Sequence, residues 1–189
     1  MEARVRVAVL GVGSLGRQHT RIYGEMHRRG TVELVGVYDT DSALAKSIAE
    51  KHGTAALGSV EAAAAAAEAL SIVTPTITHH ALAKPLLEQG KHLLIEKPMT
   101  DDAAQAADLV RLAKRHDCVL QVGHIERFNP VFNYLREAVC EPRFIESHRL
   151  SPYPARSMDI GVVLDLMIHD LDIVLAFVRS PVEHVDAAG

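Results

Sequence analysis

Apolar and polar residues alternate in blocks along the chain as far as about residue 124. Short continuous apolar runs are typical of buried strands, and longer segments between them repeat apolar positions at helical spacing. The predicted strands are residues 5–11, 31–39, 53–57, 70–75, 91–98 and 118–124. The predicted helices are residues 14–30, 41–53, 61–70, 79–90 and 100–117. This alternation predicts parallel βαβ units, and therefore an α/β domain with a doubly wound parallel sheet.

Glycine and capping residues mark several helix ends. Gly30, Gly53 and Gly90 close three of the predicted helices, as glycine commonly does. Thr100 is the expected N-cap of the helix at 100–117, because its hydroxyl can accept a hydrogen bond from an N–H group of the first turn.

After residue 124 the regular alternation stops. The expected elements are a helix at 127–140, a strand at 143–150, a loop rich in Pro and Ser at 151–160, a helix at 162–178 and the start of a strand at 182–189. We therefore expect two domains, residues 1–123 and 124–189. Because the last strand has barely begun and the second region holds too few elements to close a sheet-and-helix layer, we expect the sequence to be truncated inside its second domain.

Composition indicates how the core is built and which partners are disfavoured. Hydrophobic residues make up 48% of the 189 residues, which is enough to bury a core. Aromatic residues are 4% and Trp is absent, so Ala, Val, Leu and Ile must form the core, as they do in helices packed on a parallel sheet. The formal net charge of −4 lacks the basic field that favours nucleic acids or anionic membranes.

The sequence favours a cytoplasmic location. Only two cysteines occur, Cys118 and Cys140, which are too few for a disulfide framework. The chain does not open with a positively charged segment followed by an apolar stretch, so no secretion signal is expected. No apolar run approaches the ~18 residues that span a bilayer.

Three glycines follow the first predicted strand, in the segment AVLGVGSLGRQH at residues 8–19. Gly11, Gly13 and Gly16 have the G-x-G-x-x-G spacing of a loop that binds a dinucleotide between a strand and a helix. The first would permit a tight turn, the second would let the backbone approach a pyrophosphate, and the third would let the helix pack on the strand. Unpaired N–H groups at the helix start would then face the phosphates. The spacing alone is a weak signal, so the alternative remains that this loop is a turn that binds no ligand.

Asp39 is a second indication that this region binds a dinucleotide. It ends the second predicted strand, about 20 residues beyond the glycines, where a carboxylate accepts hydrogen bonds from ribose hydroxyls. Its charge would repel a 2′-phosphate, so NAD is the expected cofactor and NADP is disfavoured. The alternative is that Asp39 caps the next helix, but Thr40 or Asp41 can serve as that cap.

Three further motifs resemble those of the Gfo/Idh/MocA oxidoreductase family. They are TPTITHHALAKPLLEQGKHLLIEKP at residues 74–98, VGHIERFNP at 122–130 and DLMIHDLD at 165–172. The resemblance runs from residue 5 to the end of the chain. It implies an N-terminal Rossmann domain and a C-terminal α+β domain with an open-faced sheet, of which this sequence contains only the start.

The same resemblance implies cofactor contacts. Thr74, Pro75 and Glu96 are expected beside the nicotinamide ribose. His79 matches the histidine that follows the family's TP pair, although capping or packing at the helix start is an equal alternative. His19 also matches the family pattern, and its alternative is a histidine on a helix surface.

Lys97 is the first candidate for catalysis. It follows a predicted strand at the carboxyl edge of the sheet, where doubly wound folds bind ligands. Its ammonium could hydrogen-bond a substrate hydroxyl and stabilise the alkoxide that develops during oxidation. From position alone, an ordinary surface lysine is as good an explanation as a catalytic one. The family resemblance favours the catalytic role.

Asp165 and His169 are four residues apart on a predicted helix, so their side chains would share a face. His169 suits a general base because imidazole titrates near neutral pH, and Asp165 could orient it or bind substrate. Apolar neighbours such as Leu164 and Leu166 argue against a solvated helix face. A zinc pair is the other alternative, but no third ligand is evident nearby, so no metal is expected.

Three polar residues are candidates for binding an anionic group of the substrate: Arg127, Asn129 and Arg156. Arginine pairs bidentately with phosphate. Each of the three, taken alone, is at least as readily explained by a structural role.

These features predict an NAD-dependent oxidoreductase that oxidises a secondary hydroxyl of a sugar. VGHIERFNP and VVLDLMIHDLD most resemble the branch that oxidises UDP-N-acetylglucosamine at its 3-position. An inositol or simple-sugar dehydrogenase is one alternative, and a non-catalytic NAD-binding sensor or regulator is another, although a sensor would not need Lys97, Asp165 and His169. The resemblance also implies a homo-oligomer for the whole protein.

Overall fold

A five-stranded parallel sheet lies at the centre of the first part of the chain. The computed structural model describes residues 3–150, 161–178 and 180–188, and the chain divides into two units, residues 1–123 and 124–189. The strands are β1 (Val5–Leu10), β2 (Val32–Tyr38), β3 (Ala69–Ile72), β4 (His92–Ile95) and β5 (Leu120–Val122). Their spatial order is β2-β1-β3-β4-β5, with parallel pairing throughout. This order confirms the predicted doubly wound sheet and reverses between β1 and β3, at the switch point where such sheets bind ligands.

Helices cover both faces of the sheet. They are α1 (Ser14–Arg28), α2 (Ser42–His52), α3 (Val60–Ala66), α4 (His79–Glu88) and α5 (Ala103–Arg115). Side chains of β1 alternate between the faces: Ala8 and Leu10 join a core cluster with α3, α4 and α5, whereas Val9 packs with α2. Each large aliphatic side chain buried in this way contributes roughly 1.5–3 kcal/mol. Burial on both faces explains why the strands read as continuous apolar runs.

The prediction of a strand at 53–57 is wrong. This segment meets β2 at one isolated parallel bridge, between Val37 and Ala56. Its backbone hydrogen bonds to β2 are Val37 N–H donating to the Ala55 carbonyl and Leu57 N–H donating to the Val37 carbonyl. The chain then bends at 58–59 into α3, before a ladder can form.

Asp41 and Asp102 cap two of the helices. Asp41 Oδ1 accepts hydrogen bonds from the N–H groups of Ala43 and Leu44 at the start of α2. The predicted cap Thr100 is wrong for α5, because the helix begins at Ala103 and the Asp102 carboxylate takes the cap position. A carboxylate satisfies the first-turn N–H groups and also interacts favourably with the helix dipole. The Thr100 hydroxyl donates instead to the Asp102 carbonyl, at 2.7 Å.

The second unit is described as helical segments and extended chain. It contains a 3₁₀ turn (Ile125–Phe128), α6 (Pro130–Ala138), a π-helical segment (Val163–Met167) and α7 (Ile168–Phe177). Phe132 of α6 is 5% exposed, and its ring centroid lies 5.3 Å from that of Phe177 in α7. This tilted aromatic pair joins the two helices.

The strands predicted at 143–150 and 182–189 are wrong for the residues that the structure describes. Residues 143–150 and 182–188 are assigned to no strand. A strand needs a neighbour that accepts and donates ladder hydrogen bonds, and these segments find none among the described residues. The partial alternation of apolar side chains therefore leaves Phe144 and Leu150 exposed.

Two features are absent from the described residues. Within residues 3–150, 161–178 and 180–188, no helix combines the length and the apolar character needed to cross a bilayer. The same ranges hold no group of three or more His, Cys, Asp or Glu side chains placed to bind a metal ion. Cys118 is half-buried, Cys140 is exposed, and both are free thiols.

Candidate functional site

The three glycines of the first loop have different structural reasons to be glycine. Gly11 has a φ of +84°, a backbone conformation that favours glycine. A Cβ atom on Gly16 would lie 1.9 Å from the Gly11 carbonyl oxygen, so α1 packs against the loop only because that atom is missing. A Cβ atom on Gly13 would meet nothing within 4 Å, so the space above this residue is open.

Gly13 is also the N-cap residue of α1. It has no side chain to occupy the N–H groups of the first turn, and no side-chain cap is made there. Such a helix start, next to an open backbone, can receive an anionic group.

Asp39 ties the glycine loop to the end of β2. Its Oδ2 accepts a hydrogen bond from Val12 N–H at 2.7 Å, and its Oδ1 accepts one from Asp41 N–H at 3.0 Å. Each carboxylate oxygen has further acceptor capacity, because a carboxylate can accept about four hydrogen bonds in all. Since Asp41 is the cap of α2, Asp39 is left at the sheet edge beside the glycine loop.

Thr74 and Pro75 lie at the carboxyl end of β3, next to β1 at the switch point. Thr78 Oγ1 lies 2.7 Å from both the Thr74 hydroxyl and the Pro75 carbonyl oxygen, which holds the turn before α4. Thr74 is half-buried and Pro75 is exposed.

His79 is buried beneath this turn, with 1% of its surface exposed. Its Nε2 lies 2.9 Å from the Thr74 carbonyl oxygen, and its Nδ1 lies 3.1 Å from the Pro98 carbonyl oxygen. The imidazole therefore bridges the segments that follow β3 and β4. Of the alternatives raised by the sequence, this geometry supports packing, since the side chain joins two backbone segments.

Glu96 and Lys97 follow β4 at the same edge of the sheet. Glu96 is 8% exposed, and its carboxylate accepts hydrogen bonds from His19 Nε2 at 3.0 Å and from Lys97 N–H at 3.2 Å. Lys97 is half-buried, and the peptide bond between it and Pro98 is cis.

Glu96 is held in its ionised form despite its burial. Burial pushes the pKa of its carboxyl upward, but the hydrogen bond and charge of His19, together with the backbone N–H and charge of Lys97, outweigh it. The pKa of Glu96 therefore lies below its ordinary value. A negative charge is fixed next to the Lys97 ammonium.

The sequence did not single out Ser71, which hydrogen-bonds this network. Its hydroxyl lies 2.8 Å from His19 Nδ1, and the residue is fully buried in β3. A serine inside the otherwise apolar strand ALSI is the signal that could have found it, because a buried hydroxyl requires a partner. The structure also places His19 in a half-buried position, which contradicts the surface alternative.

In the second unit, Asp165 and His169 lie on either side of a change in helix type. Asp165 is in the π-helical segment and His169 is in the first turn of α7, and both are half-buried. Backbone hydrogen bonds in a π-helix span five residues instead of four, and the shared face of Asp165 and His169 stays a prediction. π-Helical turns inside α-helices occur frequently at functional sites.

Two arginines hold the carboxylates that follow His169. Arg149 donates to Asp170 through Nε and Nη2 at 2.8 and 3.1 Å. Arg127 donates to Asp172 through Nε and Nη2, both at 2.7 Å. These bidentate pairs attach α7 to the chain on both sides of α6.

The pKa of Asp172 reflects this pairing. Burial pushes it upward, but the Arg127 hydrogen bonds, with the charges of His124 and His169, bring it below its ordinary value. A depressed carboxyl pKa stabilises the fold at neutral pH, and this contribution is lost as the pH falls through the lowered value.

Of the residues predicted to bind the substrate, two have internal roles. Arg127 already pairs with Asp172, and the Asn129 side chain accepts a hydrogen bond from Val131 N–H at 3.0 Å to cap α6. Arg156 lies outside the described residues. Substrate binding by these three residues stays a prediction.

The first unit brings its predicted residues to one place: the glycine loop, Asp39, Thr74 and Lys97 all follow the carboxyl ends of β1, β2, β3 and β4. That edge offers an open helix start after β1 with a carboxylate beside it, and the end of β3 lies between this helix start and the lysine that follows β4. These groups fit a dinucleotide that lies across the switch point.

Comparison with known proteins agrees with this arrangement. Residues 5–124 match the model of an oxidoreductase family with an NAD-binding Rossmann fold. The chain is similar to the curated UDP-N-acetylglucosamine 3-dehydrogenase of Acidithiobacillus ferrooxidans, with 42% identity over 98% of this chain and 58% of that protein. It is also similar to the inositol 2-dehydrogenase of Leifsonia xyli subsp. xyli, with 30% identity over 96% of this chain and 56% of that protein.

A solved structure extends the likeness to the backbone. The structure of the UDP-N-acetylglucosamine 3-dehydrogenase from Acidithiobacillus ferrooxidans matches with a TM-score of 0.85 and 43% identity, over 92% of this chain and 56% of that one. This chain thus spans 56 to 58% of the length of these relatives. The family match covers the sheet, the glycine loop and Lys97, and the chain therefore belongs to the Gfo/Idh/MocA family of NAD-binding oxidoreductases.

Proposed function

We propose that the whole protein is an NAD-dependent dehydrogenase that oxidises the 3-hydroxyl of UDP-N-acetylglucosamine. The observation that carries the proposal is the 42% identity to a UDP-N-acetylglucosamine 3-dehydrogenase over 98% of this chain, against 30% for an inositol 2-dehydrogenase. Lys97, Asp165 and His169 are all present in the aligned span.

The residues of the first unit fit NAD. The open space above Gly13 and the uncapped start of α1 accommodate a pyrophosphate. The Asp39 carboxylate, held by Val12 N–H, has acceptor capacity left for a ribose diol. Thr74 and Pro75 at the end of β3 would line the nicotinamide ribose.

The chemistry requires the removal of a hydride from a carbon and of a proton from its hydroxyl, and NAD, when bound, supplies the hydride acceptor. Lys97 would donate a hydrogen bond to the substrate oxygen and stabilise its developing negative charge. His169 would accept the hydroxyl proton, and Asp165 would orient His169 or hold the substrate. The products are a 3-keto sugar, NADH and a proton.

An assay of NADH formation tests the substrate. With NAD present, we expect the purified protein to form NADH with UDP-N-acetylglucosamine and not with myo-inositol. The reverse preference would assign the protein to the inositol dehydrogenases. Tight NAD binding without NADH formation from any sugar, polyol or nucleotide sugar would instead support a sensor or regulator.

Asp39→Ala tests the ribose contact. We expect the dissociation constant for NAD to rise roughly 10- to 100-fold, because a hydrogen bond to a charged group is worth about 1.5–3 kcal/mol. The discrimination against NADP should relax at the same time, since the repelling charge is gone. Isothermal titration calorimetry with both cofactors measures this.

Asp41→Asn is the matched control for Asp39→Ala. It removes a neighbouring charge but keeps the helix cap, because asparagine caps as well as aspartate. Unchanged affinities for NAD and NADP in the Asp39→Ala variant would remove Asp39 from the ribose site.

We further propose that the whole protein is a cytoplasmic homo-oligomer. Two free cysteines and a net charge of −4 support a reducing compartment without a membrane or nucleic-acid partner. Size-exclusion chromatography with light scattering tests the oligomeric state.

A further inference from the structure

A buried chain of polar side chains runs beneath the end of β4. The Ser71 hydroxyl lies 2.8 Å from His19 Nδ1, and His19 Nε2 lies 3.0 Å from Glu96 Oε1. The side chains of His19 and Glu96 are only 17% and 11% exposed, and Ser71 is fully buried. Burying so many polar groups is costly unless each finds a partner, so their arrangement is tightly specified.

The hydrogen-bond pattern determines where the proton sits on His19. An ionised carboxylate can only accept, so His19 Nε2 must carry the hydrogen that it shares with Glu96. Nδ1 then faces the Ser71 hydroxyl, which can donate to it. The imidazole is thus oriented by Ser71 and presents an N–H group to Glu96.

Glu96 connects His19 to the backbone of Lys97 through hydrogen bonds. While Oε1 of Glu96 is held by His19, its Oε2 accepts the Lys97 backbone N–H at 3.2 Å. On its other side the carboxylate lies against Gly123, where an added Cβ atom would come within 2.7 Å of Oε1. The carboxylate therefore has little room to move, and the backbone of Lys97 is anchored to it.

His19 also connects this anchor to the glycine loop, because it lies on α1, the helix that begins directly after Gly13. We propose that His19 is a positioning residue that holds the Glu96 carboxylate and thereby sets the position of Lys97 relative to the phosphate-binding end of α1. This inference rests on the proposed dehydrogenase function for its catalytic consequence.

Two variants of His19 separate positioning from simple packing. His19→Gln can place an amide N–H near the position of Nε2 and still donate to Glu96, whereas His19→Asn is too short and reaches only toward Ser71. We expect His19→Asn to lower kcat roughly 10- to 100-fold with little change in KM or in NAD affinity, because a small misplacement of a catalytic group has effects of this size. His19→Gln should restore much of the lost kcat.

A measurement independent of activity completes the test. In ¹H–¹⁵N spectra, the Lys97 amide resonance should shift in His19→Asn and return toward its wild-type position in His19→Gln, and His19 of the wild-type chain should show a protonated Nε2. If no sugar is oxidised but these shifts occur, the proposed function fails and the positioning role stands. An unmoved Lys97 amide in His19→Asn would overturn the positioning role, as would equal losses of kcat and thermal stability in both variants.

Discussion

Replacing Lys97 with alanine is expected to abolish most turnover while NAD binding persists. Lys97 stands at the end of β4 beside the ionised Glu96, and in the proposed reaction its ammonium donates a hydrogen bond to the substrate oxygen. Losing such a group costs roughly 10²- to 10⁴-fold in kcat. NAD affinity should hold because the proposed phosphate and adenosine contacts lie in the glycine loop and at Asp39. Stopped-flow or steady-state NADH formation and calorimetric NAD titration measure the two quantities separately.

Lys46→Ala is the matched control for Lys97→Ala. Lys46 is an exposed lysine on α2, so its replacement removes the same charge far from the proposed chemistry. Equal loss of turnover and NAD binding in Lys97→Ala would show that Lys97 serves the cofactor or the fold rather than the substrate.

Adding one methyl group to each of two glycines of the same loop is expected to weaken NAD binding in both cases but to destabilise the fold in only one. Gly16→Ala places a Cβ atom 1.9 Å from the Gly11 carbonyl oxygen, so the backbone of α1 or of the loop must move. Overpacking of this kind lowers the free energy of unfolding by about 1–3 kcal/mol or more. NAD affinity should fall with it, because the loop and the helix start are displaced together.

Gly13→Ala is expected to leave the fold nearly intact and to weaken NAD binding by about tenfold or more. Nothing lies within 4 Å of the added methyl group in the protein, so the expected loss of stability is within ~1 kcal/mol, the usual cost of alanine at an N-cap. The methyl group would instead occupy the space where the backbone approaches the pyrophosphate. Thermal unfolding and NAD titration of both variants distinguish the two effects.

Gly58→Ala provides the control for the glycine variants, since its Cβ atom also meets nothing within 4 Å and lies outside the glycine loop. It should change neither stability nor affinity. Wild-type NAD affinity in Gly13→Ala would contradict the placement of the pyrophosphate at this loop.

The first unit was predictable because its elements are determined by local patterns. The apolar runs of β1 to β4 are buried on both sheet faces, and a run of that kind leaves few alternatives to a central strand. Gly53 ends α2 with a φ of +65°, as expected from a glycine that follows a helical pattern. The glycines of the first loop could also be recognised in the sequence, because a dinucleotide loop requires them at fixed spacing.

Other features could not be predicted because they depend on partners distant in sequence. Thr100 and Asp102 are both residue types that cap helices. Only the structure shows that α5 begins at Ala103, which makes Asp102 the cap. Residues 143–150 have the alternation of a strand, yet a strand exists only where another strand accepts its hydrogen bonds. The sequence makes Arg127 a candidate for binding an anion. In the structure its guanidinium pairs with Asp172, 45 residues away.

The sequence by itself determined the α/β class and the loop that receives a dinucleotide, and its family motif made Lys97 a candidate, because hydrophobic periodicity, glycine spacing and short motifs are local properties. Only the tertiary structure decided that His19, Ser71 and Glu96 form one buried network, because their hydrogen bonds span 52 and 77 residues of sequence. Such pairings exist only after the parallel strands have brought their carboxyl ends to one edge of the sheet.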